Sequence, residues 1–527
     1  MKSRQQWLQI LPAITAAGLA YLINYGITLA LTPFIIKTAG AEAYGFVSLA
    51  VQFAQYAVVI TTALNVYGVR YIGIAYHKNE KEEAAVYFSS VFWGNVLLAS
   101  AIAAAAVVPI LFLERLLFVP QEMAGDVKRL FFLIFLNFWF STVFSVFGCG
   151  GYIQNKLVLA GAFKALSYIA NGLVLVLVYV LLPPKIYYVG LGMITATLAV
   201  GWADVWITKR YTPELRIKRR WVSLGAIKRL VIEGSWASLN SVGNMLNSGL
   251  DLLVCNQMLS AMAMGHLAVA KTIHVIVLSL YRIVDQAFIP LFLKSYTMNN
   301  RERLLRELKL SMKASGLLAN LAFAGFVAMG RAYYRLWIPG QDIEAIYRLT
   351  VITLLTCIPT GAVHPLYYIY TLTVKKRFPC IVTVAGGLFN VAGMYILIRY
   401  GQMGVSAVVW TTAAVMMVID FITNPLYMAH VLNLPLLTFY PGIIRNVLSC
   451  LVLLMVFQGL SCLYTPPFVA WVSGLHSSQW GNRYNPASGR CMRTQGAKRA
   501  ERGEGDRCIS LLRLFGHWQL FLLSIPI

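Results

Sequence analysis

The sequence predicts an all-α polytopic membrane protein, and three observations carry that expectation. Of 527 residues, 59% are apolar and only 12% are charged, where a soluble domain runs about a quarter charged. Mean hydropathy is +0.68. Apolar stretches of the roughly 20 residues needed to cross a ~30 Å hydrocarbon layer recur along most of the chain. This composition excludes a soluble enzyme, a fibrous protein and a disordered regulator.

Taken in order, thirteen spans are expected, within a class of 12–14 transmembrane helices: 13–36, 44–66, 86–113, 130–150, 157–182, 187–207, 233–256, 264–292, 314–338, 349–372, 379–398, 404–425 and 440–463. Lys2 and Arg4 ahead of an apolar run imitate a secretory signal, but the run continues past Pro33, too long for a cleaved one. An uncleaved first helix is expected. With the N-terminus inside, the inner segments carry 24 Lys and Arg and the outer ones 9, so the positive-inside rule places the N-terminus in the cytoplasm of a cell whose inner membrane the chain spans several times. The longest inner connections, 208–232 and 293–313, read as basic surface segments; WVSLGAIKRLVIEG has the pattern of an interfacial helix. No loop is long enough for an external catalytic domain.

The net charge of +24 would suggest nucleic acid in a soluble protein; here basic loops account for it, and no nucleic-acid partner is expected. Eight cysteines show no C-x-x-C pair and no zinc spacing. No disulfide framework, metal or cofactor is expected. There is no G-x-S-x-G, HExxH or Walker loop, and GCGG at 148–151 lacks the Lys-Ser/Thr that would hold phosphate. No catalytic residue is assigned.

Sliding the chain on itself by 220 residues aligns GAEAYGFVSLA (40–50) with SAMAMGHLAVA (260–270). The same offset sets Tyr76, Asn79 and Glu82 on Tyr296, Asn299 and Glu302, and Asn24 on Asn244. The repeat predicts two parallel six-helix lobes, 1–210 and 233–425, around a central cavity, with a cytoplasmic linker at 211–232. A thirteenth helix at 426–465 and an atypical polar tail with a terminal apolar segment at 466–527 follow. Parallel repeats place a substrate site between the halves near mid-membrane.

Ionisable groups inside a bilayer are costly and normally face a cavity or a partner. In the seventh span Glu233, Asn240, Asn244, Asn247 and Asp251 fall within roughly 60° of arc, and in the eighth Lys271, His274, Arg282 and Asp285 fall within roughly 80°. The first span adds Tyr21, Asn24 and Thr28. Such rows would line a hydrated cleft. An asparagine also serves as interhelical glue worth about 0.6 kcal/mol, and Arg282 and Asp285, at i and i+3, would neutralise each other. Asp251, Asp285 and His274 are candidates for ion coupling, although a packing role for the histidine is the simpler one. His266 and His364 near span ends carry no assignment. Asp204 and Asp420, at equivalent ends of the sixth and twelfth spans, read as interface anchors. Pro290, Pro339, Pro359 and Pro365 mark helix breaks and hinges.

Beyond these patterns, GAEAYGFVSLAVQFAQYAVVITTALNVYGVRYI followed by a short charged loop resembles the opening of oligosaccharide flippases, relatives of MATE drug exporters and lipid II flippases. QAFIPLFLKSYTMNNRERLLRELK and LTVKKRFPCIVTVAGGLFNVAGMYILIRYGQMGVSAVVWTT are similar to the exit of their eighth helix and to their eleventh–twelfth pair. The resemblance spans roughly residues 10 to 465. It implies a MATE-like fold, alternating access, and a polyprenyl-pyrophosphate-linked oligosaccharide as cargo for surface polysaccharide assembly. Membrane lipid, a glycan polymerase and glycosyltransferases are the implied partners. Such a cargo would use Lys271 and Arg282, joined by Arg70 and Lys164, for its phosphates, and Asn24, Asn240, Asn244 and Asn247 for sugar hydroxyls. A MATE-like antiporter, a saccharide polymerase or ligase, and a scaffold for glycan assembly are the competing readings; the short outer loops at 114–129 and 331–348 suit the enzyme poorly. The stretch beyond 465 departs from the pattern, as a basic tail with an anchor or as a shifted reading frame.

Overall fold

The computed structural model describes residues 2–373 and 377–463; Lys375, Lys376, the side chains of Arg282 and Pro290, and the 466–527 tail lie outside the described residues. All regular structure among the described residues is helical. The long helix α1 (Lys2–His77) precedes α2 (Lys81–Leu111), the short α3 (Leu113–Leu116), α4 (Ala124–Phe144), the short α5 (Gly148–Ile153), α6 (Leu157–Leu181) and α7 (Tyr188–Tyr211). After the basic linker come α8 (Leu224–Asn244), α9 (Asp251–Met258), α10 (Ala261–Thr297) and α11 (Arg301–Trp337). The chain continues through α12 (Ile343–Leu355), α13 (Cys357–Val363), α14 (Tyr367–Thr373), α15 (Arg377–Arg399), α16 (Val405–Val418), α17 (Asn424–Val431) and α18 (Tyr440–Leu463).

Eleven helical segments among the described residues are long and apolar enough to cross a membrane, against thirteen expected. The first two expected spans form one continuous segment, Tyr21–His77, bent at Gly40, whose φ of 89° and ψ of 165° suit a residue without a Cβ. The seventh, α8 with α9, has the length but is diluted by the polar row from Glu233 to Asp251. The protein is a multi-pass membrane protein.

The repeat is written into the helix ends. α1 stops at His77 and α10 at Thr297; α2 starts at Lys81 and α11 at Arg301; α6 starts at Leu157 and α15 at Arg377; α7 stops at Tyr211 and α17 at Val431. Each pair is 220 positions apart, by subtraction of those numbers. The caps agree too. Asn79 (φ 66°) and Asn299 (φ 50°) are both left-handed, and their N–H groups donate to Tyr76 at 3.1 Å and Tyr296 at 3.0 Å. Asparagine tolerates that conformation better than other residues with a Cβ. Two 3₁₀ turns, Ser145–Phe147 and His364–Leu366, interrupt the fourth and tenth spans at matching places.

Repeat-matched residues also meet. A Cβ on Gly45 would stand 3.0 Å from the Cα of Gly265, and one on Gly265 would stand 2.4 Å from the carbonyl oxygen of Ala41. Contact between equivalent residues is what a pseudo-two-fold axis passing between them requires. Small residues let membrane helices approach this closely. Around the contact Phe46, Leu49, Leu130, Met264, Leu267, Tyr334 and Ile346 form the largest apolar cluster.

Loops expected on one side lie together. Glu214 of the linker pairs with Lys81 at 2.6 Å and accepts from Tyr76 at 3.1 Å. At the opposite end Lys128 pairs with Glu114 at 2.8 Å, Lys185 with Asp126 at 3.1 Å, and Asn256 Oδ1 accepts from the Phe118 N–H at 3.0 Å.

Candidate functional site: polar groups between and within the repeats

The polar rows resolve into distinct environments. Lys271 is not a free cation. Its Nζ lies 2.7 Å from Asp251 Oδ2 and donates to the Ser248 carbonyl at 2.7 Å. Asp251 opens α9 after a π-helical turn at Met245–Gly249, a distortion frequent at functional sites. Thus a candidate cargo cation and a candidate coupling carboxylate, 20 residues apart in sequence, form one ion pair with the acid side chain only 4% exposed.

The asparagine row divides. Asn240 and Asn244 are exposed. Asn247 is buried and donates to Thr383 C=O at 2.6 Å, while Asn390 donates to Asn247 C=O at 2.6 Å. That residue joins α8 to α15. Asn24 is half-buried, and its carbonyl accepts from Thr28 at 3.0 Å. Arg70 is exposed beside the Tyr67 ring, 5.9 Å from its centroid. His274 Nδ1 lies 3.5 Å from Cys357 Sγ, a packing contact with α13.

A cation–aromatic cluster lies where α1, α6 and α10 meet. Lys164 Nζ is 5.4 Å from the Tyr21 ring centroid, within the range of cation–π attraction. Tyr21 and Tyr25 stack with centroids 6.5 Å apart, Tyr25 is hydrogen-bonded to Ser279, and Tyr168 follows Lys164 by about one turn on the same face of α6. Further bonds run between α1 and the second repeat: Tyr44 with Thr272 at 2.8 Å, Tyr71 to Glu233 at 2.5 Å, Tyr56 to the Gly249 carbonyl, and Trp337 Nε1 to the Leu29 carbonyl at 2.7 Å.

Two carboxylates, Asp285 half-buried and Asp420 buried, sit in hydrogen-bonded settings. Asp285 bonds to His364, and accepts from Ser315 at 3.0 Å; its expected neutralising partner, Arg282, has no described side chain. Asp420 is no interface anchor. It is 1% exposed inside a π-helical turn, Ile419–Thr423, and accepts from Thr360 at 2.6 Å, Tyr367 at 2.5 Å and Asn424 at 3.0 Å. His364, left without a role by its position near a span end, is thus a central residue.

A polytopic helical bundle with parallel repeats, broken helices and buried charge has the build of a membrane transporter. Two solved structures share its fold. A lipid II flippase MurJ structure in an inward closed conformation superposes with a TM-score of 0.61 and 13% identity, covering 90% of this chain and 99% of that one. An inward-facing MATE-family multidrug resistance transporter superposes with a TM-score of 0.54 and 15% identity, over 82% of this chain and 94% of its own.

Residues 11–296 match the polysaccharide biosynthesis protein family, and the chain belongs to it. It is also similar to the uncharacterized membrane protein EpsK of Bacillus subtilis (strain 168), 27% identical over 425 residues that make up 81% of this chain and 84% of that protein.

Proposed function

We propose that the protein flips a polyprenyl-pyrophosphate-linked oligosaccharide across the cytoplasmic membrane, by alternating access between lobes 1–210 and 233–425, with its N-terminus in the cytoplasm. The observation that carries this reading is the cluster of Lys164, Tyr21, Tyr25 and Tyr168 at the junction of α1, α6 and α10. A lysine supplies charge to a phosphate, and tyrosine rings offer flat apolar faces with polar edges to a saccharide. Such a mixture of aromatic faces and a few placed polar groups is how ligand sites are generally built. Lys271 enters this scheme with its charge balanced by Asp251, so Lys164, with Arg282 and Arg70, provides for the pyrophosphate. Asn24, Asn240 and Asn244 are the remaining donors for sugar hydroxyls. MurJ, a lipid II flippase by name, shares the fold and supports the class of cargo.

The test is flipping of a fluorescent polyprenyl-pyrophosphate-linked disaccharide in vesicles containing the purified chain. Lys164→Ala and Arg282→Ala should each slow it about tenfold, equivalent to about 1.4 kcal/mol. Unchanged rates in both would remove the cationic mechanism. Drug resistance on overexpression, with no glycan phenotype on deletion, would replace the flippase with a MATE-like antiporter.

A further inference from the structure

The repeat supplies an internal comparison at one three-helix junction. In the first half Asn65, Asn95 and Ser145 bond mutually: Asn95 Nδ2 donates to Asn65 Oδ1 at 2.7 Å and to Ser145 Oγ at 3.1 Å, and Ser145 donates to Asn65 Oδ1 at 2.9 Å. Adding 220 to 65 and 95 gives Asp285 and Ser315, and the matching 3₁₀ turn places His364 where the first half has Ser145. The second half makes two of these three bonds, Ser315 to Asp285 at 3.0 Å and His364 to Asp285. One junction is therefore built twice, once from groups that never ionise and once from an acid and an imidazole. The neutral version shows that packing three helices here needs no charge.

The second half adds a further acid. Asp420 is linked to His364 through Tyr367, whose hydroxyl donates to Asp420 at 2.5 Å and whose ring centroid lies 5.4 Å from that of His364; its offset partner in the first half is Val200. Among the described side chains, two carboxylates around one imidazole leave the group one positive charge short, even with the imidazole protonated. An unbalanced buried charge costs several kcal/mol, and one additional proton removes it. The His364 side chain is 27% exposed, so water reaches it. The Ile419–Thr423 turn also packs against α15 and α16, and Tyr440 of α18 donates to the Phe421 carbonyl at 2.8 Å. α10 contributes Asp285 and Tyr281, with Arg282 beyond the described side chains; α11 contributes the Ser315 hydroxyl; α13 and α14 contribute Thr360 and Tyr367; the 419–431 segment contributes Asp420 and Asn424. Lys313, two residues from Ser315 on α11, lies near two further cations, Arg445 and Lys309.

We propose that Asp285, His364 and Asp420 form a proton-binding site whose loading shifts the tenth and twelfth spans. Both spans are interrupted at the site, by the 3₁₀ turn at His364–Leu366 and the π turn at Ile419–Thr423. Such interruptions let a helix change direction at small cost. A proton from water on one side joins a carboxylate, and leaves to water on the other after the rearrangement; only O–H and N–H bonds form and break. The site deepens the transport reading by giving it an energy source.

The experiment is hydrogen exchange of the full chain in lipid nanodiscs from pH 5.5 to 8.5, corrected for intrinsic exchange rates. Peptides covering 357–373 and 419–431 should change protection about tenfold across this range, while the matching first-half peptide, 140–153, stays flat. Asp285→Asn with His364→Ser installs the chemistry of the first half and should leave a folded protein without the step; His364→Gln should abolish it too. The proposal is overturned if the wild-type peptides are flat, if both halves respond alike, if the step survives in either variant, or if it follows sodium-for-potassium exchange at fixed pH. The wild-type comparison between halves decides the matter even if both variants misfold. No cargo is used, so a lost flipping activity with an intact step would sink the cargo reading alone.

Discussion

Replacing Gly265 with alanine tests the contact between the repeats at its tightest point. The new methyl would stand 2.4 Å from the carbonyl oxygen of Ala41, 2.6 Å from its carbon and 2.9 Å from the Glu42 nitrogen. All three are backbone atoms and cannot swing aside. Ordinary contact begins near 3.4 Å, so α1 and α10 must separate locally by 3.4 minus 2.4, or 1.0 Å. Overpacking of this kind costs about 1–3 kcal/mol, and a middle value of about 2 kcal/mol corresponds to a fall of roughly 2 °C in Tm for a chain of this length. Thermal unfolding followed by thiol-reactive fluorescence in detergent reads this directly, because Cys149, Cys255, Cys357, Cys380 and Cys450 are all buried. Gly45→Ala should fall less, since its nearest obstacle is the flexible Met264 Cε at 2.9 Å. Gly26→Ala, with nothing within 4 Å, should match the wild type or exceed it, as alanine favours helix. If Gly265→Ala melts with the wild type, the repeats do not meet as described.

Three further outcomes follow. Asp251→Asn leaves Lys271 charged and without its carboxylate, which should cost about 3–5 kcal/mol; an unchanged Tm would mean that the ion pair does not hold α9 to α10. Trp337→Phe removes the indole bond to the Leu29 carbonyl, and the same melt should register a loss of about 1 kcal/mol. Hydrogen bonding to Lys81 holds the Glu214 carboxyl below the ordinary glutamate value of 4.5. Its contribution is therefore complete above that value and is lost as pH falls through the lowered one, so a pH series of melts should show Glu214→Gln losing part of the wild type's dependence below about pH 4.5, with the two curves parallel above it.

How far the sequence could be read depended on range. Span positions were legible because each is a local run of apolar residues, and they failed only where Gly40 bends one continuous helix and where the polar row of α8 dilutes another. The repeat was legible from a few matches at one offset, and helix ends from His77 and Thr297 onward obey it. Helical periodicity placed Lys271, Arg282 and Asp285 on one face of α10, but not what stands opposite. Asp285 meets a histidine 79 residues away, and Asp420 meets Thr360 from 60 residues away. Such pairs are created by packing, and only the comparison of Asn65, Asn95 and Ser145 with their counterparts carried a trace of them. Asn247 shows the opposite error: its helical face suggested a cleft, and the structure turns it to Thr383.

The central claim is that this protein carries a lipid whose headgroup bears phosphate and sugar. Purified chain in vesicles should be offered, in competition, a fluorescent polyprenyl-pyrophosphate disaccharide and a cationic fluorescent dye. The account predicts transbilayer movement of the glycolipid, slowed by an excess of unlabelled lipid-linked disaccharide and indifferent to the dye. Movement of the dye with the glycolipid left in its original leaflet would contradict it.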